Sequence, residues 1–190
     1  LSALPKSLQA DEVERLISSC PRETVTGQRD YTLLLLLARL GLRAGEVVAM
    51  TLDDIDWEAG ALTVRGKGGR KDRLPIPWDV GQAMATYLRQ GRPQDCSTRR
   101  FFVRRKAPRR GFASSVAVCT IVRRALERAG IASPRKGAHL LRHSLATEML
   151  RKGGSLAEIG EVLRHRSVDD VLFLDDGRAA TRAHTFHDRV

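Results

Sequence analysis

The longest apolar run in the sequence, Leu33 to Ala38, sits inside a stretch from Gly27 to Leu42 that is leucine-rich nearly all round. A helix apolar on every side has to be enclosed by other elements, so this segment is expected to be the central, buried helix of the fold. The run is far shorter than the roughly 20 apolar residues that a membrane-crossing helix needs. No membrane partner is expected.

Around that helix the pattern is mostly helical. Ser7 to Cys20 reads as a first helix, with Asp11 as its cap and Val13, Leu16 and Ile17 at helical spacing. Gly41 ends the central helix, and Ala44 to Met50 starts another short one. Leu52 to Trp57 leads into a strand over Ala61–Val64. The glycine-rich turn Gly66 to Asp72 follows, then a second strand over Arg73–Ile76, which together make a β-hairpin. Trp78 to Gln90 reads as an amphipathic helix closed by Gly91 and Pro93. Arg99 to Arg110 is expected to be a short strand, through Phe101, Phe102 and Val103, running into an exposed basic loop. Helices follow over Val116–Ala129, Ala138–Lys152 and Ser155–Leu163. The expected class is α+β, mainly α: a helical domain with a small antiparallel β-sheet. It is placed at residues 1–169, with 170–190 as an atypical tail whose pattern weakens.

Charge narrows the partner. Thirty-three Lys and Arg stand against 22 Asp and Glu, a net charge of +11. An excess of this size points to a polyanion, because each phosphate neutralised releases condensed counterions. Seven of the twelve residues from Arg99 to Arg110 are basic and none is acidic, which favours contact with a DNA backbone over a merely solvated face. The three cysteines, Cys20, Cys96 and Cys119, match neither a metal spacing nor a disulfide framework and suit a reducing cytoplasm.

Four local stretches become meaningful together. They are Gly41-Leu42-Arg43-Ala44-Gly45-Glu46-Val47; Gly66-Lys67-Gly68 with Arg70, Lys71 and Arg73 behind it; His139 to Thr147; and Leu163-Arg164-His165. In this order and with these gaps they resemble the signature of the tyrosine recombinases and phage integrases, over about Leu4 to Val168. Each stretch alone is a modest signal; the ordered set is strong. The resemblance implies a catalytic domain, normally preceded by a core-binding domain absent here. It implies site-specific recombination or integration of a mobile element by strand cleavage and rejoining, through a 3′-phosphotyrosyl intermediate. The expected partner is double-stranded DNA, held by a homo-oligomer, typically a tetramer, with no cofactor and no metal.

The same resemblance assigns roles. Arg43 and Arg142 match the two family arginines, and a planar guanidinium can hold two oxygens of a phosphate whose charge grows in the transition state. His139 matches the histidine three positions before the second arginine; i and i+3 share a helix face. Lys67 matches the hairpin lysine, the general acid for the leaving 5′-oxygen. His165 matches the position that supports phosphate and nucleophile. DNA-backbone contacts are expected from Arg70, Lys71, Arg73, Arg104, Arg105, Lys106, Arg109 and Arg110. Plainer readings stand beside these: Arg43 as a salt-bridge partner of Glu46, Lys67 as a solvated turn lysine, His143 as a structural histidine. Arg39, Arg164 and Arg166 read as surface or phosphate-backbone residues, and Arg164 replaces the glycine that commonly precedes the last histidine.

One feature of the family is missing. Its tyrosine usually lies nine residues beyond the last histidine, which here is Leu174, with Phe173 one short; the two tyrosines, Tyr31 and Tyr87, lie far upstream. Neither Leu nor Phe has a nucleophilic oxygen. This copy is therefore expected to be impaired, through a tail that is out of frame or through decay to a DNA-binding remnant, unless a partner protomer supplies the tyrosine in trans.

Overall fold

The computed structural model describes residues 7–66 and 69–164. Helix α1 (Ala10–Ser18) opens with Glu12 accepting from the backbone N–H of Gln9 at 2.9 Å, not with Asp11 as a cap. Helix α2 (Val25–Leu40) starts where Thr24 Oγ1 accepts from the Gly27 N–H at 2.9 Å. Its five consecutive leucines, Leu33 to Leu37, are 0–1% exposed. The all-round apolar pattern thus has its expected consequence: α1, α4, α5 and α6 all pack against this one helix. No helix among the described residues is long and apolar enough to cross a membrane.

After α2 the chain turns at Gly41 into α3 (Ala44–Ala49), and a single 3-10 turn (Leu52–Asp54) leads to the sheet. Strands β1 (Ile55–Asp56), β2 (Ala61–Arg65) and β3 (Lys71–Pro75) form an antiparallel sheet in the order β1-β2-β3, with Leu62 opposite Leu74. Ala61, Leu62 and Val64 of β2 are buried, and β2 lies against α3. The hairpin is as expected, shifted by a residue or two. The short β1 adds a strand.

Helix α4 (Trp78–Thr86) does not run straight to Gln90 but widens into a π turn over Tyr87–Gly91. That turn puts Tyr87 in the core against Phe101 and Phe102, with ring centroids 5.6 and 5.5 Å away. The expected strand through Phe101–Val103 is not formed. These three neighbours are all buried, where a strand would bury alternate residues. The segment makes only isolated bridges, Thr51 to Arg100 and Val103 to Gly111, and the Val103 N–H donates to the Tyr87 hydroxyl at 3.2 Å. Aromatic packing overrides the strand ladder.

Helices α5 (Ser115–Arg128), α6 (Ala138–Arg151) and α7 (Leu156–Val162) complete the described chain. A reciprocal cap sets α7: Ser155 Oγ accepts from the Glu158 N–H at 3.2 Å while Glu158 accepts from the Ser155 N–H at 2.7 Å. Ile159 and Leu163 then dock on Ala146 of α6 as a small second cluster. This docking carries residues 163 and 164 back to the end of α2, where Gly41 adopts φ +56°. A Cβ there would meet Leu163 Cδ2 at 2.6 Å and Leu145 Cδ2 at 3.1 Å. Gly41→Ala is expected to lose about 2 kcal/mol of stability from left-handed strain and the collision. Urea unfolding measures it, and a loss below about 0.5 kcal/mol would mean that α7 yields freely.

Candidate active site

Arg43 is the N-cap of α3, in extended backbone, and the third residue of that helix reaches back to it. Glu46 Oε2 accepts from the Arg43 N–H at 2.8 Å, and Glu46 Oε1 accepts from Arg43 Nη1 at 3.1 Å. The Glu46 side chain is 7% exposed and the Arg43 side chain 40%, so the carboxylate lies beneath and the guanidinium opens outward. Arg43 Nη2 also donates to the carbonyl of Arg164 at 3.4 Å.

Arg142 comes from the middle of α6, 5% exposed, and its two Nη groups donate to two carbonyls, Gly41 O and Leu163 O. One guanidinium therefore ties the C-terminal end of α2 to the end of α7. A guanidinium has five N–H donors, so each Nη keeps a second hydrogen for another acceptor. Burial first, then the positive charges of Arg43 and Arg164, pushes the Arg142 guanidinium down to about 9, with Glu46 opposing. The cation is still the form present at neutral pH, held at an electrostatic cost that an anion would relieve.

Arg164 is the residue that sequence reasoning misplaced. It is not on the surface: its side chain is 5% exposed and Nη2 donates to Glu46 Oε2 at 2.9 Å. Arg43 and Arg164 thus both pair with one carboxylate, and Arg142 adds a third guanidinium within its electrostatic reach. The pairing of Arg43 with Glu46 was legible from their helical spacing; the inward turn of Arg164 was not, although the replaced glycine marked the position.

The other expected site residues separate into three groups. His139 is exposed on α6, one turn before Arg142, while His143 lies within 2.9 Å of Arg135 Nη1. Lys67, His165, Arg166 and Leu174 lie outside the described residues. Among the basic residues, Arg70 is paired with Asp72 at 2.8 Å and Arg73 with Asp56 at 2.7 Å. Arg109 is paired with Asp95, and Arg104 donates to Pro108 O at 2.8 Å. Lys71, Arg105, Lys106 and Arg110 are exposed and have no ion-pair partner among the described residues. Arg39, read from sequence as a surface or phosphate residue, is engaged by Glu14 at 2.7 Å and Asp79 at 3.1 Å.

Neither tyrosine belongs to the cluster. Tyr87 is buried, its hydroxyl accepting from Val103, and burial pushes its phenol up. Tyr31 stacks under Arg22 at 4.9 Å, ten residues before Gly41, about 15 Å along the axis of α2.

Fold and site together define a mainly helical domain that gathers guanidiniums from separate segments around one buried carboxylate, with Arg43 the most open of them. The profile described as the phage integrase family matches residues 6–172. An integrase/recombinase sequence of Sinorhizobium fredii is 57% identical over 168 residues, covering 88% of this chain and 41% of the relative. Tyrosine recombinase XerA of Pyrococcus furiosus is 38% identical over 166 residues, covering 87% and 55%. A crystal structure of XerA recombinase superposes with a TM-score of 0.77 at 27% identity, covering 91% of this chain and 59% of that one. The chain belongs to the phage integrase family, the tyrosine recombinases, and has their catalytic-domain fold. It spans roughly half the length of these relatives.

Because Glu46 is, among the described residues, the one carboxylate set against these three guanidiniums, Glu46→Gln is expected to cost about 2–3 kcal/mol, discounted for the exposure of Arg43. The measurement is unfolding in urea, which unlike guanidinium adds no competing cation. An unchanged midpoint would show that the carboxylate does not offset the buried charge.

Proposed function

We propose that this domain grips a single DNA phosphodiester between Arg43 and Arg142 for the metal-free cleavage and rejoining of strands, the chemistry of site-specific recombination and integration. The observation that carries the reading is the convergence of the two arginines on one turn: Arg43 reaches Arg164 O and Arg142 reaches Leu163 O, adjacent carbonyls. A phosphodiester under attack gathers negative charge, and donors fixed in a poorly hydrated site stabilise it without reorganising. Arg43, half-open, meets the phosphate first. Arg142 lies behind it with spare Nη hydrogens. The names of the relatives, recombinases and integrases, support the assignment.

His139, on the same helix face as Arg142, is proposed to donate to a second phosphate oxygen. By the family motif, Lys67 is proposed to protonate the leaving 5′-oxygen and His165 to support the phosphate. Lys71, Arg105, Lys106 and Arg110 are proposed to hold the flanking backbone, since nothing internal occupies them. Arg70, Arg73, Arg104 and Arg109 serve it less, each being held by an internal acceptor. The assembly on DNA is proposed to be a tetramer. With Leu174 in the expected tyrosine position, the chain as given is proposed to bind without covalent capture.

Three experiments test this. In a gel shift with duplex DNA at low salt the protein is expected to bind, and a folded protein that binds no duplex overturns the reading. With a nicked suicide duplex no denaturant-resistant adduct is expected, and an adduct would overturn the claim that capture is lost. A charge-removing triple variant, Arg105→Ala, Lys106→Ala and Arg110→Ala, should also flatten the slope of log affinity against log salt by about 3. A slope equal to that of the parent would remove this loop from the interface.

A further inference from the structure

Among the described residues Arg164 is the one non-glycine with a positive φ, +56°. The backbone there suits the glycine it replaces, and an L side chain is strained in it. The side chain adds two further costs. It is 95% removed from solvent, and its Nε and Nη1 have no hydrogen-bond partner among the described residues. It also brings a third positive charge beside Arg142, which already sits among like charges. Glycine would relieve the strain, the unpaired donors and the repulsion together. Against these costs stands one gain, the Nη2 ion pair with Glu46 at 2.9 Å, of the buried kind whose desolvation can exceed its Coulombic return. Stability alone therefore does not account for arginine at this place.

The anion site does give one. Glu46 Oε2 is shared between the Arg43 N–H and Arg164 Nη2, while Oε1 serves Arg43 Nη1. With glycine at 164 the single carboxylate would answer to Arg43 and Arg142 alone, leaving the cluster with one excess positive charge. With Arg164 present the excess is two. We propose that Arg164 is a positioning residue of the phosphate site: by drawing on the Glu46 carboxylate it leaves Arg43 less neutralised, and so tunes the site for an oxyanion carrying two negative charges. That charge is what a phosphodiester carries when it becomes pentacoordinate, so the inference rests on the phosphate-gripping reading above. Its Nε and Nη1 have no solvent exposure, so Arg164 acts through Glu46 and through its field, while Arg43 makes the first contact.

Sulfate, a tetrahedral dianion at neutral pH, is a direct ligand for the test. Its affinity is measured by calorimetry at constant ionic strength against chloride, for the parent chain and for Arg164→Met, Arg164→Lys and Arg164→Gly. Methionine keeps most of the bulk and the strained backbone and removes the charge together with the Nη2 hydrogen bond to Glu46. It is expected to weaken sulfate binding on the order of 100-fold or more, the effect of one positive charge on a dianion at roughly 10 Å in a medium of dielectric about 20. Lysine is expected to stay within about threefold of the parent, because charge and not the fork is required. Glycine is expected to weaken binding as methionine does while raising the urea midpoint in sulfate-free buffer. A merely structural role would move affinity and stability in the same direction.

Parental sulfate affinity in the methionine variant overturns the proposal, and so does a parent chain that shows no preference for sulfate over chloride. If the methionine variant does not fold, the glycine variant makes the same comparison of affinity. Duplex binding by the parent is scored separately: sulfate binding that depends on Arg164 in a protein that ignores DNA would keep this inference and sink the DNA reading.

Discussion

The arrangement turns on what Arg142 does with its two Nη groups. Gly41 O belongs to the end of α2, Leu163 O to the end of α7, and the guanidinium to the middle of α6. Those carbonyls stand at helix ends, where intrahelical donors run out, and one buried cation satisfies both. The same contact fixes the turn that presents Arg43 and the turn that presents Arg164. A neutral side chain of similar length would fill the space without joining the three segments. This use of a charge to specify geometry explains why a guanidinium 5% exposed is kept despite its desolvation.

The leucine helix makes that placement possible. Leu33 to Leu37 are enclosed on all sides, so α2 is a fixed axis and its end at Gly41 is a fixed point. Gly41 then matters twice. Its positive φ turns the chain toward Arg43, and its missing side chain admits Leu163. The core thus reaches the site through backbone position, with no core side chain among the polar groups that would meet an anion.

What was legible in the sequence follows from how local each signal is. The central helix could be read because all-round apolarity at helical spacing leaves no other option. The hairpin could be read because glycines and alternation are neighbours in the chain. Arg43 and Arg142 could be placed together because an ordered set of short motifs spans the chain. Phe101 to Val103 was misread as a strand since its burial depends on Tyr87, whose π turn gave no local sign. The internal partners of the basic residues were not legible for the same reason. Arg73, Arg109 and Arg39 are engaged by Asp56, Asp95 and the pair Glu14 and Asp79, partners that no spacing rule connects to them. Arg164 looked like a surface cation because long basic chains usually are. It turns inward because its left-handed backbone stands over a carboxylate fixed by α3.

The separation of binding from capture has a structural basis. Every tie that assembles the guanidinium cluster runs between residues 41–46, residue 142 and residues 163–164. None of these ties requires a phenol, so the anion site is specified whether or not a nucleophile accompanies it. The reverse does not hold, since a tyrosine without fixed cations would face a phosphodiester whose growing charge nothing offsets. Loss of a nucleophile would therefore end turnover while leaving these ties in place, whereas loss of Glu46, Arg142 or Gly41 would undo the ties themselves.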